Sequence, residues 1–325
     1  MSASPSLLAP PSPLEIRSLD LVRLRPYAAT VGFVPRRQVA TATTGGFRAP
    51  LRGRGMDFEE SRLYQPGDDI RTMDWRVTAR RGEPHTKVFR PERERPVVLL
   101  VDVGSSMAFG TRRVLKSVLA GEVAALLAWM AVERGDRVGA VVHADERIAE
   151  LPPANRALGA LRLFRLLERM QVRPAERVVG RATASSVDAG LARLARRARA
   201  GSLLFLLGDY WGLGEAGERH LEQCTRYCEV VLALIHDPIE AELPAAGEMV
   251  FTSGREHRLL RADVPEVRAL FVERFVRHVE RLGELLARRG GRLITLSTAE
   301  PAVRTLGPAL RGPAGAMPRA TGTDG

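Results

Sequence analysis

The feature that most constrains the fold is an alternation of buried strands with helices between residues 96 and 298. Val97 to Val101 is an unbroken run of Val and Leu, the pattern of a strand covered on both faces. Further strands are predicted at Arg137 to His143, Leu203 to Leu207, Val230 to Ile235 and Arg292 to Ser297. Because helical patterns separate these runs, the sequence predicts an α/β fold, a doubly wound and mostly parallel sheet with helices on both faces.

The helical patterns are amphipathic and end at turn residues. They cover Val114 to Arg134, Ala157 to Met170, Val187 to Ala200, Glu215 to Cys228 and Pro265 to Arg289. Met249 to Thr252 is predicted as a short edge strand.

Polar side chains follow two of the buried strands directly. Asp102 ends the first strand and leads into a loop that contains Ser106, and Asp209 follows the third strand. Ser185 lies in the loop before another helix. Ligands of such sheets bind beyond the carboxyl ends of the strands, and carboxylate and hydroxyl oxygens suit a hard cation such as Mg²⁺. The sequence therefore predicts a cation site, with loop and helix capping as the structural alternative.

The composition changes along the chain and predicts four regions. Residues 1–13 are rich in Ser and Pro and are predicted to be disordered, and residues 14–95 form a small β-rich module. The α/β domain covers 96–298, and residues 299–325 form a loose tail.

The positive charge of the chain does not by itself indicate a nucleic-acid partner. Lys and Arg number 49 against 38 acidic residues, but the charges are interleaved, so a dedicated nucleic-acid function is not expected. The alternative is a basic face on one helix formed by Arg193, Arg196, Arg197 and Arg199. The first 20 residues do not resemble a secretory signal, and no apolar run spans a bilayer, so a cytoplasmic protein is expected.

Several strings in the chain resemble the DUF58 family, a branch of the von Willebrand factor A superfamily. They are SRLYQPGDDIRTMDW at 61–75, ARRGEPHTKVFRPERERPVVLLVDVGSSM at 79–107 and DPIEAELP at 237–244. With the strand order, the resemblance extends over roughly residues 45 to 300. It implies a von Willebrand factor A-like domain preceded by a β-rich module of the DUF58 type.

The resemblance also implies a metal-ion-dependent adhesion site, in which a partner's Asp or Glu completes a bound Mg²⁺. The matching residues are Asp102, Ser106 and Asp209, with Ser185 where the family has Thr. Gly104 stands where the first Ser of the family pattern would be, so the expected metal site is degenerate and weak.

The turn in the first of these strings admits two interpretations. As a charged docking surface, its partner-binding residues would be Tyr64, Asp68, Asp69, Arg71, Asp74 and Trp75. As a structural clamp, the same charges would form salt bridges that hold residues 50–95 against the α/β domain, and Trp75 would be buried.

The resemblance implies a non-enzymatic interaction module that works with a MoxR-type AAA+ ATPase in assembling or remodelling a complex. Two alternatives stay open, a Mg²⁺-dependent hydrolase that uses Asp102 and Asp209, and the basic nucleic-acid binder.

Overall fold

A computed structural model describes residues 11–32, 56–66, 68, 70–91, 95–176, 184–252 and 257–312. The chain divides into two compact units, one made of residues 1–38 and 95–325 and the other of residues 39–94. The strands are β1 (Met56–Leu63), β2 (His85–Pro91), β3 (Pro96–Asp102), β4 (Arg137–Ala144), β5 (Arg147–Ala154), β6 (Leu203–Gly208), β7 (Glu229–His236), β8 (Glu248–Thr252), β9 (His257–Arg261) and β10 (Arg292–Ser297).

The α-helices are α1 (Ser18–Val22), α2 (Ala28–Val31), α3 (Trp75–Arg81), α4 (Lys116–Glu133), α5 (Arg156–Met170), α6 (Ala184–Arg197), α7 (Glu215–Tyr227), α8 (Pro238–Ala241), α9 (Pro265–Ala287) and α10 (Ala302–Arg311). None of the helices in the described part of the chain is long and apolar enough to cross a membrane.

The larger unit is built on a six-stranded sheet of order β10-β7-β6-β3-β4-β5. All neighbouring pairs are parallel except β4 and β5, which are antiparallel. Alternate residues of β3 point to opposite faces, so Val97 and Leu99 join one core while Val98 and Leu100 join the other. Helices α4, α5 and α10 cover the first face, and α6, α7 and α9 cover the second. The predicted doubly wound, mostly parallel fold is confirmed.

The N-terminal boundary differs from the predicted one, because residues 14–32 pack on the α/β unit and not in a β-rich module. Ile16 is buried beside Gly121 of α4, and its backbone exchanges hydrogen bonds of 2.6 and 2.8 Å with the Gln171 side chain. The Trp129 indole donates to the carbonyl of Leu21 at 3.2 Å. Residues 1–10 of the segment predicted to be disordered lie outside the described residues.

The segment predicted as a loose tail contains helix α10. Ala302, Leu306 and Leu310 recur at a spacing of four residues and are all buried in the core that α4 shares. The Arg292 side chain donates to the carbonyl of Ala309 at 3.1 Å and so ties the end of α10 to the start of β10. Residues 313–325 lie outside the described part of the chain.

Two further elements correct the sequence prediction. Strand β5 was not predicted; it is the antiparallel edge strand and is only half buried, so it lacks the apolar run of its neighbours. The predicted edge strand at Met249 to Thr252 exists as β8, but it pairs with β9 in a separate antiparallel hairpin.

The smaller unit, described by itself, contains an antiparallel pair of β1 and β2 together with helix α3. Asp74 caps the N-terminus of α3, accepts from the backbone of Val77 at 3.3 Å and accepts the Ser61 hydroxyl at 2.9 Å. These contacts hold α3 against the strand pair.

Candidate functional site

The site lies at the carboxyl edge of the sheet, where β3 and β6 end side by side. Asp102 closes β3, and Asp209 follows β6 after Gly208. The strands are so close that a Cβ added to Gly208 would lie 3.2 Å from the Cβ of Asp102. Both carboxylates are buried, and Ser106 hydrogen-bonds Asp209. The structure thus brings together three of the four predicted metal ligands. The fourth, Ser185, is in the first turn of α6, and its side chain lies outside the described part of the structure.

A buried lysine, which the sequence analysis did not single out, lies among these residues. Lys116 is the first residue of α4 and is only 1% exposed. Its Nζ lies 2.9 Å from Oδ2 of Asp209 and 2.7 Å from Oε1 of Glu240 in α8. One ammonium group therefore joins the loop after β6 to the loop after β7.

The pKa shifts show which of the two carboxylates the Lys116 ammonium stabilises more. Burial lowers the pKa of Lys116, but the charges of Asp209 and Glu240 outweigh it and hold that pKa above its ordinary value. Burial acts to raise the pKa of Asp209, and the Lys116 charge and hydrogen bond overcome it, so the pKa of Asp209 is lowered. Glu240 differs, because its burial, aided by the Asp209 charge, outweighs Lys116 and leaves its pKa raised. Lys116 thus mainly neutralises Asp209.

Asp102 is in a different environment. Burial is the main cause that raises its pKa, and the nearby Asp209 charge adds to the effect. Three groups oppose the shift: His143, whose Nδ1 lies 3.7 Å from Oδ1 of Asp102, the Gly104 N–H, which donates to the same oxygen at 2.8 Å, and the Lys116 charge.

These residues do not fit the magnesium site that the family resemblance implies. Asp209, one of the predicted metal ligands, already pairs with the Lys116 ammonium and hydrogen-bonds Ser106. A metal ion bound to Asp209 would repel the Lys116 ammonium. Two unit charges about 4 Å apart near a protein surface interact by about 4 kcal/mol, and a divalent ion would double this energy. Among the described residues, no cluster of three or more His, Cys, Asp or Glu side chains is placed to hold a metal ion.

The replacement of the first family Ser by Gly104 has a local cause. A Cβ at this position would lie 2.8 Å from Oδ1 of Asp145 and 3.0 Å from its backbone nitrogen. Asp145 occupies that space because its carboxylate accepts the backbone N–H and the hydroxyl of Ser105, at 2.9 and 2.8 Å. Ser105 is therefore engaged with Asp145 and does not replace the missing ligand.

Restoring the family residue should consequently destabilise the protein. We expect Gly104→Ser and Gly104→Ala to lower the free energy of unfolding by similar amounts, about 1–3 kcal/mol, because the added Cβ displaces Asp145 in both. Urea denaturation checks this, and the cost should shrink in an Asp145→Ala background. A Gly104→Ser variant that is more stable than wild type in Mg²⁺ would contradict the steric explanation.

Asp237 organises the same edge from the loop after β7. It is fully buried and accepts the Thr111 N–H at 2.7 Å and the Thr298 hydroxyl at 2.5 Å. It also caps α8, and its own N–H donates to Oε2 of Glu240 at 2.8 Å, which completes a capping box. Glu240 thus contacts Asp237 with one oxygen and Lys116 with the other.

A cavity of about 480 Å³ opens above the ion pair. Lys116, Asp209, Glu240, Ser106 and Thr111 form its polar part, and its apolar part is lined by Phe109, Trp211, Ile239, Met249, Val250, Phe271 and Phe275. The Trp211 ring stacks on His278 with centroids 3.9 Å apart, and the Arg274 guanidinium lies 5.0 Å from the centre of the Trp211 ring. Arg274 is exposed at the rim.

The predicted partner-binding residues lie in the smaller unit and have mixed surroundings. Asp68 pairs with Arg62 at 2.6 Å, and Asp74 is buried as the cap of α3, as the clamp interpretation requires. Trp75 is 66% exposed, whereas that interpretation buries it. Tyr64 is half-buried, Arg71 is exposed, and Asp69 lies outside the described residues.

The basic helix face considered as a nucleic-acid site is partly neutralised. Glu150 of β5 pairs with Arg193 at 3.0 Å and with Arg197 at 2.7 Å. These two hydrogen bonds lower the pKa of Glu150. The pairing reduces the charge that this face can offer to phosphates.

The fold and the site together define a doubly wound α/β protein with a polar cavity at the carboxyl edge of its mostly parallel sheet. The family model described as "Protein of unknown function DUF58" matches residues 60–281, more than half of the chain. The chain therefore belongs to the DUF58 family.

Individual relatives and solved structures are similar to this chain over different shares of its length. The chain is 28% identical over 299 residues to the uncharacterized protein Rv1480 of Mycobacterium tuberculosis, covering 91% of this chain and 92% of that protein. Among solved structures, it is similar to the conserved hypothetical protein BatB of Bacteroides thetaiotaomicron at 12% identity, with a TM-score of 0.39 over 66% of this chain and 97% of that one. A von Willebrand factor type A protein of Catenulispora acidiphila has 11% identity and a TM-score of 0.35 over 70% of this chain and 44% of that one.

Proposed function

We propose that the protein is a non-enzymatic interaction module that docks a partner protein at the cavity. The observation that supports this proposal is the arrangement of the cavity. Aromatic side chains line its walls, the paired Lys116 and Asp209 lie at its base, and the Arg274 guanidinium lies at its rim. Lys116 and Asp209 neutralise each other there, which favours binding over nucleophilic chemistry.

The rim indicates the chemistry of the docked segment. The structure shows no carboxylate paired with Arg274 among the described residues, and this guanidinium lies against the exposed edge of the apolar wall. Three apolar side chains nearby in the sequence of elements are also more than half exposed. They are Val250 in β8, Leu259 in β9 and Leu270 in α9. A partner segment that carries an acidic side chain beside an apolar one complements this surface, with the carboxylate on Arg274 and the apolar group in the cavity.

The DUF58 resemblance suggests the identity of the partner. We take it to be a MoxR-type AAA+ ATPase in the cytoplasm, which the protein would assist as an adaptor in assembling or remodelling a complex. Binding to such an ATPase is the part of the proposal that needs a direct measurement.

The test is titration of the purified full chain with a purified MoxR-type ATPase from the same organism, followed by calorimetry. We expect Arg274→Glu to weaken binding about tenfold or more, because it places a negative charge where the partner's carboxylate docks. Arg277→Glu is the matched control on the same helix; Arg277 pairs with Glu273 and does not line the cavity.

The two parts of the proposal fail in different ways. If wild-type protein does not bind the ATPase, the MoxR partnership is wrong. If it binds but Arg274→Glu behaves like Arg277→Glu, the partner docks elsewhere on the molecule.

A further inference from the structure

The floor of the cavity contains a permanent cation at the place where the adhesion-site pattern calls for a metal ion. Asp209 and Ser106 are two of the pattern's ligands, and they are in mutual contact. Asp209 also pairs with Lys116, whose Nζ contacts Glu240 as well. Both partners of the ammonium are carboxylates on separate segments, the loop after β6 and helix α8, an arrangement in which a divalent ion would also serve as the bridge.

The surroundings of Lys116 indicate that this placement is built into the fold. Lys116 is among the largest of the fully buried side chains and begins a helix that is otherwise almost wholly apolar. A buried ammonium is retained only where carboxylates compensate its charge, and Asp209 and Glu240 do so from two sides. Glu240 is in turn positioned by the capping box with Asp237.

We propose that the Lys116 ammonium is the resident cation of this site, in place of a divalent metal, so that the site is complete without metal. The proposal is compatible with Gly104 at the position of the first family Ser, where the Asp145 side chain fills the space. It does not depend on which partner the cavity binds, because its test uses the metal ion alone.

The first measurement is made on the wild-type protein. Electron paramagnetic resonance of free Mn²⁺ should show no stoichiometric binding at millimolar concentrations, and the melting temperature should be the same in EDTA, Mg²⁺ and Mn²⁺. Stoichiometric Mn²⁺ binding that is abolished by Asp102→Asn or Asp209→Asn would overturn the proposal.

The second measurement removes the ammonium. Lys116→Met leaves Asp209 and Glu240 without their shared cation, so this variant should bind Mn²⁺ and its melting temperature should rise by several degrees when the metal is added. Lys116→Met/Asp209→Asn is the control and should lose the response. A folded Lys116→Met protein that ignores Mn²⁺ would show that Lys116 does not stand in for a metal; if this variant does not fold, the wild-type measurement decides.

Discussion

Lys116→Met is expected to destabilise the protein by about 3–5 kcal/mol at neutral pH, because it leaves the buried Asp209 and the half-buried Glu240 without their shared cation. Methionine fills nearly the same volume, so the cost is electrostatic and not the cost of a cavity. The melting temperature should fall by about 10 °C. Urea denaturation and thermal unfolding in EDTA measure the effect.

The pH dependence of this variant distinguishes the electrostatic cause from a packing defect. Without Lys116, Asp209 and Glu240 repel each other, and their pKa values in the folded state rise above those in the unfolded chain. A group whose pKa is higher in the folded than in the unfolded state stabilises the protein fully below the unfolded-state pKa. This stabilisation is lost as the pH rises through the folded-state pKa. The difference in the free energy of unfolding between wild type and Lys116→Met should therefore become smaller as the pH is lowered from neutral.

A second substitution provides the control. Glu240→Gln removes the carboxylate that Lys116 compensates least, so Lys116→Met/Glu240→Gln should recover part of the lost stability at neutral pH. A double variant that is no more stable than Lys116→Met, at any pH, would mean that packing and not charge accounts for the loss.

The sheet could be predicted from the sequence because its strands are covered on both faces. Such strands read as continuous runs of Val, Leu and Ile, and Arg292 to Ser297 was predicted with the bounds that β10 has. Strand β5 is half-buried and contains Pro152 and Pro153, so neither of the usual strand patterns marks it.

The ends of the chain were harder to predict for a different reason. Helix α10 contains Gly307 and Pro308, residues that are typical of loops, and its three-residue apolar stripe becomes informative only against the core that it covers. The N-terminal segment likewise depends on tertiary contacts, such as those of Ile16 with Gln171.

The candidate site was predictable where it depends on topology alone. Asp102 and Asp209 had to meet, because parallel strands bring their carboxyl ends to one edge. Lys116 was missed because it lies at the start of a helix 14 residues beyond Asp102, and no local pattern relates it to either carboxylate. Two signals were present: it is one of only two lysines among 49 basic residues, and Glu240 lies within the family string at 237–244.

Asp237→Ala is expected to destabilise the protein by about 3–4 kcal/mol, since it removes an acceptor for the Thr111 N–H, the Thr298 hydroxyl and the end of α8 at once. Calorimetric unfolding measures the loss. Asp263→Ala is the control; Asp263 is 44% exposed and pairs with Arg261 at the surface, so its removal should leave the stability nearly unchanged.

The pH dependence expected for Asp237 comes from a lowered pKa, whereas that of the Lys116→Met variant comes from raised ones. Burial acts to raise the pKa of Asp237, but the hydrogen bonds from Thr111 and Thr298 outweigh it, so the folded-state pKa is lowered. A group with a lowered folded pKa stabilises the protein above its unfolded pKa and loses this effect as the pH falls through the folded value. The difference in the free energy of unfolding between wild type and Asp237→Asn should therefore be largest at neutral pH and disappear only in acid. A gap that stays constant with pH would mean that the geometry of the capping box, and not the charge of Asp237, holds Glu240 against Lys116.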